Sequence, residues 1–80
     1  SGILTVQVNL TDRPGVLVSL LTLFYRARAN ILTVNQNIPV KGRAFVSVSA
    51  RIDKMEQTPG QLLENLKQVE GVIKIDSIVD

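Results

Sequence analysis

Several residue types are missing or scarce in this chain, and each absence excludes a class of function. Neither cysteine nor histidine occurs, which excludes disulfide scaffolds, zinc centres, haem ligation and nucleophiles activated by histidine. Aromatic residues make up only 4% of the sequence. No apolar run approaches the roughly 20 residues that a membrane span requires. We therefore expect no metal, no cofactor and no membrane partner, and the lack of cysteine fits a cytoplasmic origin.

The length of the chain limits it to one small domain. A chain of 80 residues buries roughly 60% of its unfolded surface, so it needs either a well-patterned core or a partner chain. The net charge of +2 is too small to indicate a polyanionic partner by itself. We interpret Ser1 and Gly2 as a remnant of cloning, and residues 3–80 as a single domain cut from a longer protein.

Apolar and polar side chains alternate in several segments, as expected for strands that bury one face. Residues 31–38 and 44–52 are predicted as the second and third strands, and residues 72–79 as the last strand, with Ile73 and Ile75 inward. The inward residues of the first strand are Leu4, Val6, Val8 and Leu10. Those of the third are Val46, Val48, Ala50 and Ile52.

A first helix is predicted from Pro14 to Arg28, because proline suits a first helical turn, where its missing N–H costs nothing. Residues 39–43, which contain Gly42, are predicted as a hairpin loop. The apolar residues of the helix fall at i, i+3, i+4 and i+7. They are Leu17, Leu20, Leu21 and Phe24.

A second helix is predicted to start at a capping box, in which Thr58 is the N-cap, Pro59 the first helical residue and Gln61 the third. Gly71 is expected to end it. Its apolar residues are Leu62, Leu63, Leu66 and Val69.

The order of these elements, βαββαβ, predicts an α+β, ferredoxin-like sandwich. In this fold a four-stranded antiparallel sheet carries both helices on one face. The other face is expected to be polar and to carry Thr5, Gln7, Asn9, Thr33, Asn35, Asn37, Ser47, Ser49, Arg51, Lys74 and Asp76. Because this fold hosts unrelated functions, function has to be argued from particular residues.

The first predicted helix has an apolar surface too wide for one sheet to cover. Apolar residues flank its core stripe on both sides, leaving a narrow polar arc. The flanking residues are Val16, Leu23 and Ala27 on one side and Val18 and Tyr25 on the other. We therefore expect a homodimer or a higher homo-oligomer.

RNA binding is one alternative, because the RNA-recognition motif shares this topology. Residues 41–48 match its third-strand pattern at all but two positions, but Arg43 and Val48 replace the aromatic residues that stack on bases. The first strand has no aromatic residue either. We expect Phe45 to be a lone sheet residue and nucleic acid not to be a partner.

Catalysis by this fragment has little support. Asp12 is the one acidic residue near a helix start in an apolar setting, and it has no second acid, base or metal ligand beside it. A single carboxylate is thin evidence for acid-base chemistry. We predict no catalytic residues and no enzyme activity for the fragment alone.

The first strand-helix junction carries the most specific pattern in the chain. Residues 12–17, with the sequence DRPGVL, are followed by Asn30 and Ile31 where the helix gives way to the second strand. Together with residues 69–72, this pattern resembles the ACT domain, an amino-acid-sensing module of metabolic enzymes and regulators. The resemblance covers residues 3–79. Residues 31–39, followed by Gly42, look most like the small PheB-type ACT proteins, whose annotation links them to chorismate mutase.

Chorismate mutase activity is not carried over, because the sequence has no arginine and glutamate constellation to hold two carboxylates. The resemblance instead implies an amino-acid ligand held between the junction of one subunit and the second strand of its partner. Its predicted contacts are Asp12, Arg13, Pro14, Gly15, Val16, Leu17, Asn30 and Ile31. The alternative function is a purely structural dimerisation module.

Each polar group has a defined role in the predicted site. The first-turn N–H groups of the helix suit a carboxylate, and Gly15 lets it approach the backbone. Asp12 and Asn30 are candidate partners of the ammonium group. Apolar atoms of Leu10, Val16, Leu17 and Ile31 favour a hydrophobic amino acid over serine.

The same residues have simpler interpretations. Asp12 is also a good helix cap, Arg13 is equally suited to a solvated surface, and Asn30 tolerates a left-handed turn.

Overall fold

The computed structural model describes residues 2–80, and Ser1, part of the predicted cloning remnant, lies outside them. The elements are β1 (Ile3–Thr11), α1 (Val16–Arg26), β2 (Asn30–Gln36), β3 (Arg43–Arg51), α2 (Pro59–Lys67) and β4 (Val72–Val79). The strands form one antiparallel sheet in the order β2-β3-β1-β4. The predicted ferredoxin-like fold is confirmed.

The core lies between the sheet and the two helices. In the central pair of strands, Val6 of β1 faces Val48 of β3, and Val8 faces Val46, so the predicted alternation is confirmed. Both helices contribute to the same apolar cluster. Its buried members are Leu4, Val6, Val8, Leu10, Val16, Leu20, Phe24, Ala27, Ala29, Ala44, Val46, Val48, Ala50, Leu62 and Leu66.

Helix α1 is shorter than predicted at both ends. It begins at Val16, and Pro14 lies in a turn before it, because Gly15 takes a left-handed conformation (φ 89°) as the N-cap. The helix ends at Arg26, and Arg28 is left-handed (φ 64°). The buried side is therefore centred on Val16, Leu20 and Phe24, while Leu17 and Leu21 lie half-buried at its margin.

Helix α2 begins as predicted. The Gln61 N–H donates to Oγ1 of Thr58 at 3.1 Å, and the Thr58 N–H donates to Oε1 of Gln61 at 2.9 Å, which completes the capping box. The helix ends at Lys67 rather than at Gly71, which lies in the turn before β4 with φ 102°.

The two edge strands depart from the predicted alternation. In β4 the register shifts beside Asn9, so that Leu10 faces Val72 and Ile73 is left unpaired. Ile73 is exposed instead of inward, and the half-buried residue is Val72. Strand β2 ends at Gln36, so the last two residues of the predicted strand lie outside the sheet.

The hairpin between β2 and β3 turns at Lys41 and Gly42, which have φ of 53° and 76°. Val40 and Arg43 exchange two backbone hydrogen bonds across it, at 2.9 and 3.0 Å. Two left-handed residues in a two-residue loop match the right-handed twist of the flanking strands.

The outer face of the sheet is polar, as predicted. Thr5 Oγ1 and Ser49 Oγ lie 2.9 Å apart across β1 and β3. Two apolar side chains interrupt this face, Phe45 in β3 and Ile78 in β4. Within residues 2–80, no helix is long and apolar enough to cross a membrane.

Candidate ligand-binding junction

Backbone hydrogen bonds from two other loops hold the junction between β1 and α1. The Thr11 N–H donates to the carbonyl of Gly71 at 2.7 Å, and the Asp12 N–H donates to the carbonyl of Gly42 at 2.9 Å. The turn before β4 and the β2-β3 hairpin are therefore both hydrogen-bonded to the first strand-helix connection. Its position is fixed by residues distant in sequence.

The first turn of α1 presents unpaired backbone donors. No side chain in residues 2–80 caps the helix, and its first turn contains no acidic residue. The Val16 N–H reaches the Arg13 carbonyl at 3.4 Å, but the Leu17 and Val18 amides have no acceptor among the described residues. Such donors at the positive end of a helix dipole favour an anion.

Asp12 does not cap this helix, so that interpretation is wrong. Gly15 occupies the N-cap position, and the Asp12 side chain is exposed. An ideal Cβ on Gly15 would meet nothing within 4 Å. The junction thus combines an exposed carboxylate with an open stretch of backbone.

An open groove of about 390 Å³ runs along the junction. Its lining residues are Arg13, Pro14, Gly15, Val16, Ser19, Val69 and Glu70. Nη2 of Arg13 lies 3.6 Å from Oε1 of Glu70, and both side chains are exposed by about half or more. Arg13 is therefore engaged with the turn before β4. Of the predicted apolar lining, Val16 lies in the groove, whereas Leu10 faces the core of the chain.

Asn30 and Ile31 lie at the opposite end of the sheet from Asp12. Asn30 pairs with Arg51, which pairs with Ile3 at the start of β1, whereas Asp12 follows the end of that strand. Eight residue steps of roughly 3.3 Å put the two ends of β1 about 26 Å apart. Asn30 is also not left-handed, since Arg28 takes that conformation. One chain alone does not bring the two predicted ammonium partners together.

Sequence reasoning missed Glu70 and Gly42 as neighbours of the junction. No local pattern marks them, because their position depends on strand register. Residues 69–72 did carry a signal, as part of the family resemblance. Within residues 2–80, no group of three or more acidic side chains could hold a metal ion.

Comparison with solved structures defines the fold. The ACT domain of a GTP pyrophosphokinase from Chlorobium tepidum superposes with a TM-score of 0.74 at 17% identity, covering 95% of this chain and 96% of that one. The regulatory subunit of aspartate kinase from Thermus thermophilus superposes with a TM-score of 0.72 at 13% identity, covering 96% of this chain and 50% of that one. The chain has the ferredoxin-like fold of ACT domains.

The family follows from sequence. The ACT domain model matches residues 4–71, and the chain belongs to the ACT domain family. A UPF0735 ACT domain-containing protein from Caldicellulosiruptor saccharolyticus is 40% identical over 92% of this chain and 49% of its own length. Another, from Geobacillus kaustophilus, is 40% identical over 96% of this chain and 52% of its own length. The chain spans about half the length of these relatives.

Proposed function

We propose that this chain is the regulatory, amino-acid-binding and dimerising domain of a longer cytoplasmic protein of amino-acid metabolism, and that the domain itself is not catalytic. The observation that carries the proposal is the junction, where unpaired amides of Leu17 and Val18 lie in the same turn region as the exposed carboxylate of Asp12. An α-amino acid presents the complementary pair of charges. The resemblance to a regulatory subunit of aspartate kinase supports the regulatory role.

The site requires a second copy, and the sheet offers an edge for it. Strand β2 lies at the margin of the sheet, where its outer backbone groups can pair with another strand. Leu32 and Val34 on this strand are exposed. Antiparallel pairing of two β2 strands about a two-fold axis would extend the sheet to eight strands.

Such pairing would place Asn30 of a second copy at the Asp12 end of the first. Gln36, at the far end of β2, lies across β3 from Val8, near the end of β1. A two-fold axis exchanges the ends of paired antiparallel strands. Asn30 of the second copy therefore lies beside Gln36 and approaches the junction, which a single chain keeps it from reaching.

The surface of α1 supports self-association. Val18 and Tyr25 are exposed by 67% and 80% on its outward side. Exposed apolar residues therefore occur both on α1 and on the β2 edge, and exposed apolar surface of this kind marks an interface. Sedimentation at micromolar concentration is expected to show a dimer or a larger species, and a purely monomeric chain would contradict the proposal.

In the proposed complex the ligand carboxylate accepts hydrogen bonds from the first turn of α1, next to Gly15. Its ammonium group donates to Asp12 and to Asn30 of the second copy. Leu17 of the same chain and Ile31 of the second copy supply apolar contacts for the side chain, and both residues are half-buried in the free chain. A hydrophobic amino acid is therefore favoured over serine.

Assembly without ligand is the second candidate. One observation favours it: Arg13 already has Glu70 as a partner, so part of the groove is occupied by the chain's own side chains. A domain that serves only to dimerise needs the β2 edge and the outer side of α1, but not Asp12.

Thermal unfolding with each proteinogenic amino acid in turn separates the two candidates. A ligand at about 100 times its dissociation constant adds roughly 2.7 kcal/mol, and each kcal/mol raises Tm by about 4–8 °C in a domain of this size. Asp12→Ala and Asn30→Ala are expected to reduce the shift, whereas Asp53→Ala and Asn65→Ala, at exposed positions elsewhere, are expected to retain it in full. A flat response from a folded dimer favours assembly alone, and a shift that neither Asp12→Ala nor Asn30→Ala reduces refutes this site.

A further inference from the structure

The outer face of the sheet holds a depression of about 470 Å³ that the junction does not use. Cross-strand pairing aligns its residues in two rows. In the first row, Asn9 lies between Phe45 and Lys74. In the second, two residues further along, the order from β2 to β4 is Asn35, Ser47, Gln7 and Asp76. The depression therefore crosses all four strands.

Asn9 lies at the centre of the first row, and its side-chain oxygen has no hydrogen-bond donor within residues 2–80. Its Oδ1 is fully buried and has no partner among the described residues. Most buried polar atoms in proteins are paired, so an orphan of this kind needs an explanation. Rotation of the Asn9 side chain toward the depression, which Asn9 lines, would let a donor group of a ligand satisfy it.

Lys74 and Asp76 supply opposite charges on the same strand face. Two residues of a strand are roughly 7 Å apart along one face. Neither side chain is within 4.0 Å of an oppositely charged group in residues 2–80, so neither forms an ion pair. The bulge at Ile73 shifts the β4 register immediately before Lys74, and bulges of this kind re-aim neighbouring side chains.

Phe45 provides an apolar surface at the other end of the first row. The residue is 58% exposed, although β3 is an interior strand. Its backbone is held in place by the chain that leaves β2: the Phe45 N–H donates to Oδ1 of Asn37 at 2.7 Å, and the Phe45 carbonyl accepts from the Asn37 N–H at 3.2 Å. The ring therefore projects from a hydrogen-bonded strand rather than from a loop.

We propose that this depression is a second binding site for an α-amino acid with an apolar side chain. The carboxylate binds Lys74, the ammonium group donates to Asp76 and to Oδ1 of Asn9, and the side chain packs on Phe45. Two strand spacings of about 4.8 Å separate β4 from β3, so the distance from the charged pair to the ring is about 10 Å. That span suits one amino acid of the size of leucine or phenylalanine.

The charges on this surface favour a zwitterion over a nucleotide. Asp76 lies next to Lys74 on the same face and would repel a phosphate. Phe45 is also the one aromatic residue in the depression, whereas single-stranded nucleic acids are held by several stacked bases. A zwitterion offers a carboxylate to Lys74 and an ammonium group to Asp76, so each side chain faces a group of opposite charge.

The site is independent of the proposed junction, because it lies on the face of the sheet opposite to α1. Amide chemical shifts from the 80-residue chain can therefore assign a ligand to one site or the other. Addition of l-phenylalanine, l-leucine, l-isoleucine, l-valine or l-methionine at millimolar concentration is expected to shift residues 7–9, 45–47 and 74–76 with at least one of the five. Shifts confined to residues 12–17 belong to the junction and would overturn the second site while supporting the first.

Substitutions at exposed positions test the assigned contacts without disturbing the core. Asp76→Asn, Lys74→Gln and Phe45→Ala are each expected to weaken binding at the outer face by about tenfold. The matched controls Asp53→Asn and Lys54→Gln remove the same charges at exposed positions elsewhere and are expected to leave binding at the outer face unchanged, as is Asp12→Ala at the junction.

Three outcomes would overturn the proposal. One is the absence of shifts in the outer-face rows with all five amino acids. Another is equal binding of phenethylamine or 3-phenylpropanoate, each of which lacks one of the two charges of phenylalanine. The third is that AMP or a short single-stranded RNA shifts these amides and the amino acids do not, which would assign the face to nucleic acid chemistry.

Discussion

Gly71 lies directly against Val16, so that an ideal Cβ placed on Gly71 would be 2.8 Å from Cγ2 of Val16. The same carbon would lie 3.2 Å from Nη2 of Arg13. Because the Gly71 carbonyl also accepts from the Thr11 N–H, this glycine fixes the spacing between the last turn and the start of α1. The absence of a side chain at Gly71 is what lets these two segments meet.

Replacement of Gly71 by alanine is therefore expected to destabilise the fold strongly. The residue has φ 102°, where an L-residue is strained, and the new methyl group would collide with Val16. Strain and overpacking together cost about 2–4 kcal/mol, and Tm should fall by about 10 °C or more. Gly60→Ala is the matched control, because its Cβ would meet nothing closer than 3.9 Å; within α2 it should stabilise by about 0.5–1 kcal/mol. Equal effects of the two substitutions would contradict this account.

Substitution of Gly42 tests the effect of backbone strain in the absence of a steric clash. Its φ is 76°, yet an ideal Cβ would meet nothing within 4 Å. Gly42→Ala should cost about 1–2 kcal/mol, less than Gly71→Ala. Lys41→Asn in the same turn should raise the free energy of unfolding, because asparagine tolerates the left-handed conformation that Lys41 adopts (φ 53°). Both effects are measured by chemical denaturation. If Gly42→Ala lowers the free energy of unfolding as much as Gly71→Ala does, the steric clash at Gly71 does not add to the backbone strain, and this account is contradicted.

The capping box of α2 is expected to contribute measurably to stability. Thr58→Ala removes the acceptor of the Gln61 N–H and should lower the free energy of unfolding by about 1 kcal/mol. Thr58→Ser keeps a hydroxyl in the same position and should retain most of the stability. If serine and alanine are equally destabilising at Thr58, the hydroxyl is not the stabilising group.

Much of the fold was predictable, because local pattern decides the central strands and the start of α2. The alternation around Val6 and Val48 and the capping box at Thr58 each depend on a few neighbouring residues. The predicted start of α1 was two residues too early, because Gly15 is left-handed and the helix begins only after it. The prediction that Ile73 points inward was wrong. A bulge reverses the strand alternation locally, and it has no signature in this sequence.

The candidate sites were predictable only in part. Asp12 and Gly15 are adjacent in sequence, so a junction motif could identify them. Asn30 is placed by the sheet register at the far end of the domain, and its role depends on a second copy. The row of Phe45, Asn9 and Lys74 exists only through pairing across three strands, which no local pattern specifies.

The contact between Arg13 and Glu70 leads to a last prediction, which depends on the proposed junction site. The two side chains lie 3.6 Å apart and are largely exposed, and pairs of this kind add at most about 1 kcal/mol to stability. Glu70→Gln should therefore leave Tm of the free domain almost unchanged. It should nevertheless strengthen amino-acid binding at the junction, because Glu70 lines the same groove as Gly15 and its carboxylate repels a ligand carboxylate bound at the first turn of α1.

The expected gain in affinity is about two- to fivefold, the size of one partly screened charge interaction, and it should shrink as ionic strength rises. Glu64→Gln is the matched control: Glu64 forms a similar exposed pair with Lys67 at 3.5 Å, on α2 and outside the junction groove. Calorimetric titration of both variants with the amino acid identified in the thermal screen makes the comparison. If Glu64→Gln strengthens binding as much as Glu70→Gln does, the gain comes from net charge alone; if Glu70→Gln weakens binding, Glu70 is part of the site rather than its competitor.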